Sequence, residues 1–148
     1  MIINNDFEIA ERFLFDGIHL GQKDRMCKDA KEKFGNEFIV GVSCSDSPRL
    51  YYEAENQKAD YVAFGPVFKT FSKEKKIINI KNVLFSIKRL RLPFTLIGGI
   101  NHNNFIELIE YKPNNLAIIN SFWNHVNGPV KSALLYNKML KEKYNYEN

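Results

Sequence analysis

The chain has 148 residues, 45% hydrophobic and 26% charged, the balance of an ordinary globular domain; this excludes a disordered tail and a disulfide-stapled miniprotein. Its formal charge of +4, from 21 basic and 17 acidic residues, suits phosphate-bearing small molecules or nucleic acid without choosing between them. The length falls short of a closed eightfold β/α barrel, which takes roughly 200 to 250 residues.

Short apolar, β-branched runs alternate with longer amphipathic stretches, the pattern of repeated βα units around a parallel sheet. In chain order the spacing predicts a strand over 1–4 and a helix over 7–15, a strand over 17–20 and a helix over 25–34, then a strand over 38–43 and a helix over 48–58. A strand over 61–65 follows, with a helix over 80–90, a strand over 94–98, a helix over 103–110, a strand over 116–120 and a helix over 130–144. The fourth helix carries the clearest signal, since Ile80, Val83, Leu84, Ile87 and Leu90 follow helical spacing and Pro93 stops continuation. No linker or low-complexity block divides the chain, so 1–148 reads as one domain.

Two cysteines, Cys27 and Cys44, stand without CxxC spacing or a secretory signal, which points to a reducing compartment and a cytoplasmic protein. The N-terminus lacks a basic leader and any apolar run near the roughly 18 to 20 residues that span a bilayer, so no membrane partner is expected. The basic clusters at 73–76, 88–91 and 138–143 are mixed with acidic or apolar neighbours and read as solvated faces. No zinc-finger, basic-zipper or RNA-recognition signature appears, so nucleic acid is not the expected partner.

In parallel β/α folds, functional groups collect at the carboxyl ends of the strands, where the βα loops are free to carry chemistry. The strand ends here are small or polar. Gly98-Gly99-Ile100 opens a helix and has the form of an anion site, or of a plain turn with positive φ. Asn120-Ser121 after the last strand strengthens the phosphate reading. Thr70, Ser72 and Lys73 could cradle phosphate oxygens, or form a solvated loop. Asp24 suits either a Mg2+ ligand or an N-cap for the next helix. His19 alternates inward on its strand and reads as a packed core histidine, and the three histidines support no catalytic triad.

The motifs, in order, resemble the thiamine-phosphate synthase family: Asp16-Gly17-Ile18-His19-Leu20-Gly21-Gln22-Lys23-Asp24, Val40-Gly41-Val42-Ser43, Ala59-Asp60-Tyr61-Val62-Ala63-Phe64-Gly65-Pro66-Val67-Phe68 with Thr70-Phe71-Ser72-Lys73, and Ile97-Gly98-Gly99-Ile100. The resemblance implies an α/β fold, an incomplete TIM (β/α)8-type barrel of six parallel βα units with the first two units missing. It implies an enzyme, a transferase that joins an aminopyrimidine diphosphate to a thiazole phosphate with Mg2+ as cofactor, releasing pyrophosphate and forming thiamine phosphate. By position it makes Asp24 and Asn5 the metal ligands, with Asp6 taking the place of Asn5 after a one-residue slip. It gives Ser43 and Lys73 the diphosphate and the catalytic role. Asn4 contacts the pyrimidine, Thr70, Phe71 and Ser72 hold the thiazole phosphate, and Gly99, Ile119 and Asn120 complete the phosphate cradle.

Several positions depart from the family pattern. Asn5 stands where an aspartate is usual, Ser72 where threonine is usual and Asn120 where serine is usual, while the second-strand Gln, Arg and Lys that hold the diphosphate have no counterpart. The alternatives are a phosphate-ligand binder without turnover and a thiazole tautomerase-like protein. The latter is expected to carry a histidine at Ser45, two residues after the motif serine. Six strands without closure leave two open edges, for which a homodimer is expected.

Overall fold

A computed structural model describes residues 1–70 and 76–145. Strands and helices alternate: β1 (Ile2–Asn4), α1 (Phe7–Arg12), β2 (Gly17–Leu20), α2 (Cys27–Phe34), β3 (Ile39–Ser45), α3 (Pro48–Asn56), β4 (Tyr61–Phe64), α4 (Ile80–Ser86), β5 (Phe94–Ile97), α5 (Phe105–Ile109), β6 (Asn115–Ala117), α6 (Asn120–Trp123) and α7 (Gly128–Asn145). The sheet order is β1-β2-β3-β4-β5-β6, and every neighbouring pair is parallel. Among the described residues β1 and β6 are each paired on one side only, so six βα units form an open segment of a TIM-type barrel, as expected.

Strand alternation divides the side chains into two sets. Ile18, Val40, Val62 and Leu96 are fully buried and pack under the helices, whose inward residues include Ala10, Ala30, Tyr51, Ala54, Val83 and Leu108. The opposite parity puts Asn4, His19, Gly41 and Tyr61 in one continuous register row across four strands. That row faces the concave side. Three helix starts are capped as their sequences suggest: Asp6 accepts from Ile9 N–H at 2.9 Å, Ser47 from Leu50 N–H at 3.3 Å ahead of Pro48, and Asn79 from Asn82 N–H at 3.1 Å.

The clearest predicted helix is four residues shorter than its periodicity suggests, ending at Ser86 rather than 90. Tyrosine hydroxyls on α3 supply the reason: Tyr51 Oη accepts from the N–H groups of Arg91 at 2.7 Å and Leu92 at 3.3 Å, and Tyr52 Oη accepts from Lys88 N–H at 3.0 Å. Backbone donors satisfied from outside do not need a helical ladder. The last strand also stops early, at Ala117 rather than 120, and Asn120 belongs instead to the short helix α6. None of the helices, among the described residues, is long and apolar enough to cross a membrane.

Candidate active site

A cavity of about 640 Å3 opens at the carboxyl ends of the strands. All six strands or the loops that follow them contribute to its wall: Asn4, His19, Ser43, Tyr61 and Ala63, Gly65 and Pro66, Thr95 and Ile97, Gly98 to Asn101, Ala117, and Ile119 to Ser121. Lys69 and Thr70 bring a cation and a hydroxyl to the same wall. Lys69 is the charged side chain in the described wall. A second cavity, about 470 Å3, lies just ahead of the amino end of β5 and is lined by Tyr52, Glu55, Ser86, Lys88, Arg89 and Arg91. None of the strand-end groups reaches it.

The register row builds the floor of the main cavity. Gly41 sits between His19 and Tyr61, and a Cβ there would overlap the Tyr61 ring. Its missing side chain therefore lets Tyr61 lean across the strand and bring its hydroxyl to 3.0 Å from His19 Nδ1, while His19 Nε2 lies 3.0 Å from Ser43 Oγ. Burial lowers the His19 pKa from 6.5, opposed by the charge of Asp24, so the ring is neutral at pH 7. Burial also pushes the Tyr61 phenol up, keeping its proton. His19 is thus hydrogen-bonded at both nitrogens in the cavity wall rather than packed in the apolar core.

Above this row the loops interlock. Val67 N–H donates to Ile97 O at 3.0 Å and Phe68 N–H to Gly98 O at 3.1 Å, laying the 65–69 segment onto the glycine turn. Gly98 and Gly99 both have positive φ, 93° and 70°, and a Cβ on either would overlap Pro66 or Phe68 and the Lys69 carbonyl. The predicted helix opening at Asn103 starts later, at Phe105. The intervening N–H groups of Asn101 and Asn103 are taken by Asn104 Oδ1 at 2.8 Å and Asn101 Oδ1 at 2.9 Å, so this helix start offers those two donors to side chains rather than to an anion.

At the ends of β1 and β2, Asp24 is not the cap of α2, whose N-cap is Met26. Its Oδ2 accepts from Gly21 N–H at 2.6 Å. Asn5 is held at φ 66° by its own N–H to His19 O at 2.9 Å; its amide is assigned with the nitrogen toward the acceptors around it, Asp24 Oδ2 at 3.1 Å, Asn4 Oδ1 at 3.2 Å and His19 O at 3.1 Å, because the opposite orientation sets oxygen against oxygen. Asp6 instead caps α1. The donors gathered here are hard oxygens with one carboxylate, a set that fits Mg2+ when the Asn5 amide presents its oxygen and substrate phosphates supply further charge. Among the described residues no group of three or more His, Cys, Asp or Glu could hold a metal by itself.

Of the sequence-predicted site residues, Asn4, Ser43, Thr70, Gly99, Ile119 and Asn120 line the one cavity, and Asn5 and Asp24 stand together at its β1/β2 edge. Phe71, Ser72 and Lys73 lie outside the described residues. The structure adds Lys69, Tyr61 and Thr95, together with His19 in its polar role. Inward parity on β4 and β5 marks Tyr61 and Thr95; the hydrogen bonds that occupy both His19 nitrogens span 24 and 42 residues and have no local signature.

A sequence profile of the family described as Thiamine monophosphate synthase matches residues 1–122. The thiamine-phosphate synthase of Rhodospirillum centenum is 34% identical over 141 residues, covering 95% of this chain and 68% of that protein. The thiamine-phosphate synthase of Pelagibacter ubique is 41% identical over 125 residues, covering 84% and 60%. The solved thiamine phosphate pyrophosphorylase from Pyrococcus furiosus superposes with a TM-score of 0.79 at 26% identity, covering 95% of this chain and 67% of that one. The chain thus spans about two thirds of the length of these relatives.

Proposed function

The chain belongs to the thiamine monophosphate synthase family, and from that premise we propose that it joins an aminopyrimidine diphosphate to a thiazole phosphate. The observation that carries the reading is the convergence of Asn4, Ser43, Thr70, Gly99 and Asn120, from the ends of five different strands or the loops that follow them, on one cavity. The pyrimidine CH2–O bond breaks with its electron pair leaving on the diphosphate. The thiazole nitrogen lone pair then forms the new C–N bond, giving thiamine phosphate and pyrophosphate.

In this reading Asn4 meets the pyrimidine, and Ser43 and Lys73 meet the diphosphate. Tyr61 O–H donates to His19 Nδ1 and His19 Nε2–H to Ser43 Oγ, a direction that leaves the Ser43 proton to donate to a diphosphate oxygen. Thr70, with Lys69 beside it, receives the thiazole phosphate against the Gly99 and Ile119-Asn120 backbone, and the family motif assigns Phe71 and Ser72 to the same phosphate. Asp24 and Asn5 would hold Mg2+, which neutralises charge on the departing diphosphate when bound. Ala63, Ile97 and Ala117 give the cavity an apolar flank that limits water at the reacting carbon.

We read the chain as a cytoplasmic protein that pairs with a second copy; its two free, buried cysteines and its two open sheet edges support this. The test of function is incubation of the chain with both substrates and Mg2+. Thiamine phosphate and pyrophosphate in equal amounts are expected. Binding of both substrates with no product would overturn the synthase reading in favour of phosphate-ligand binding without turnover, the reading that Asn5 in place of a carboxylate favours.

A further inference from the structure

Helix α7 is tied into the cavity wall by a set of side-chain hydrogen bonds that involve residues beyond the 1–122 family match. Ser121 Oγ donates to the Ile100 carbonyl at 3.0 Å, which uses its one proton. The Tyr136 hydroxyl, 2.5 Å from Ser121 Oγ, is therefore the donor in that contact. Ser132 Oγ donates to the Ser121 carbonyl at 3.0 Å, and so accepts from His102 Nε2–H at 3.2 Å. The His102 ring also stacks on Tyr136 with centroids 3.9 Å apart. The four bonds run in one consistent direction: His102 to Ser132, Ser132 and Tyr136 to Ser121, and Ser121 to Ile100.

The location gives this bracket its consequence. Ile100 follows the Gly98-Gly99 turn and Ser121 follows Ile119-Asn120, and both residues line the cavity. Helix α6, which begins there, has four residues, too few to hold a shape by its own ladder. Ser132 is fully buried and Tyr136 is 7% exposed, so their hydroxyls have no water to exchange these partners for. Burial raises the Tyr136 pKa and its bond to Ser121 lowers it, the burial effect being the larger, so the donor keeps its proton.

We propose that Tyr136 and Ser132 are positioning residues, holding the Ile119–Ser121 turn against the Gly99–Ile100 turn so that the two present a preformed cradle to the phosphate of the thiazole substrate. This rests on the functional reading above, and it adds to it a part of the chain to which that reading gives no role. Preorganisation of this kind affects the ligand group that the two turns share and leaves the rest of the ligand untouched.

The test compares wild type, Tyr136→Phe and Ser132→Ala. Phenylalanine keeps the ring on His102 and removes only the donor. Calorimetry is run with thiazole phosphate and with the unphosphorylated thiazole alcohol, and amide hydrogen exchange is followed at 98–101 and 118–122 without ligand. We expect faster exchange in both segments and phosphate-ligand affinity weakened by up to about tenfold, the scale of one lost hydrogen bond, with alcohol affinity unchanged. Wild-type binding with unchanged exchange and affinity in both variants would overturn the bracket alone, as would an equal loss for both ligands. No binding of thiazole phosphate by wild type would overturn the functional reading and this proposal together.

Discussion

His19 Nε2 and Ser43 Oγ, on adjacent strands 24 residues apart, lie 3.0 Å from one another in the wall of the cavity. The other ring nitrogen faces Tyr61 Oη, so a neutral imidazole can donate to one hydroxyl and accept from the other. Burial holds the His19 pKa below its ordinary 6.5, against the opposing charge of Asp24. The folded state thus binds this proton less readily than the unfolded chain. Stability from this source is intact above about pH 6.5 and falls as pH drops through the window between 6.5 and the lower folded value. Thermal melts between pH 7.5 and 5 are expected to show that decline in wild type and a shallower one in His19→Gln. Equal slopes would show that His19 does not carry the dependence.

Gly41 makes this geometry possible, since a Cβ there would overlap the Tyr61 ring. Gly41→Ala is expected to drive Tyr61 off His19 at a cost of about 1–3 kcal/mol, the range for overpacking a filled site. Turnover should fall along with stability. Gly35→Ala is the control: it strains the backbone, since Gly35 has positive φ, 88°, but nothing lies within 4 Å of its Cβ position. That variant is expected to lose stability with unchanged turnover per folded molecule. Unchanged stability and turnover in Gly41→Ala would contradict the steric argument.

Lys69 is the charged group in the described cavity wall. Lys69→Gln keeps a polar side chain and removes the charge. It is expected to weaken thiazole phosphate binding about tenfold and to flatten its salt dependence, while leaving the unphosphorylated thiazole alcohol unaffected. Calorimetry at low and high salt checks this. Equal losses for both ligands would mean that Lys69 acts through loop packing instead of charge.

The strands were legible because β-branched runs are a local property: from β1 to β5 each predicted strand starts and ends within two residues of the observed one. The site was legible where motif residues sit on those ends, as with Asn4, Ser43 and Gly99. Long-range hydrogen bonds hid the rest. Periodicity carries α4 to residue 90, but Tyr51 and Tyr52, more than 30 residues earlier, take the donors that would continue it. His19 looked like a core residue because its parity is inward, and on this half-open sheet the inward face is the cavity. The four-residue α6 is too short for a periodic signal.

Tyr51 is fully buried and its hydroxyl serves Arg91 N–H, Leu92 N–H and, at 3.4 Å, the Arg89 carbonyl. Tyr51→Phe leaves those groups unsatisfied, with an expected loss of about 1–3 kcal/mol in unfolding free energy. The contacts lie before the amino end of β5, away from the strand ends. Turnover per folded molecule is therefore expected to be unchanged. Urea denaturation and active-site titration check the two halves, and an unaltered denaturation midpoint would contradict the account of why α4 ends at Ser86.

Asn5 and Asp24 permit a gain-of-function test of the metal site. With the wild-type Asn5 amide assigned nitrogen-first, that nitrogen lies 3.1 Å from Asp24 Oδ2, an attractive contact that competes with a cation for the same carboxylate oxygen. Asn5→Asp replaces that donor with a second carboxylate at a backbone position, φ 66°, that aspartate tolerates as asparagine does. Two carboxylates at this spacing repel each other without metal and bind Mg2+ with more charge when it is present. The variant is expected to melt at a lower temperature than wild type without Mg2+ and to recover as Mg2+ is added, following the mass-action stabilisation of a bound ligand. Asp24→Asn is expected to abolish the Mg2+ response in either background. A melting temperature of Asn5→Asp that ignores Mg2+ would remove Asn5 and Asp24 as the metal-holding pair, because adding a charge to a true site must raise its affinity for a divalent cation.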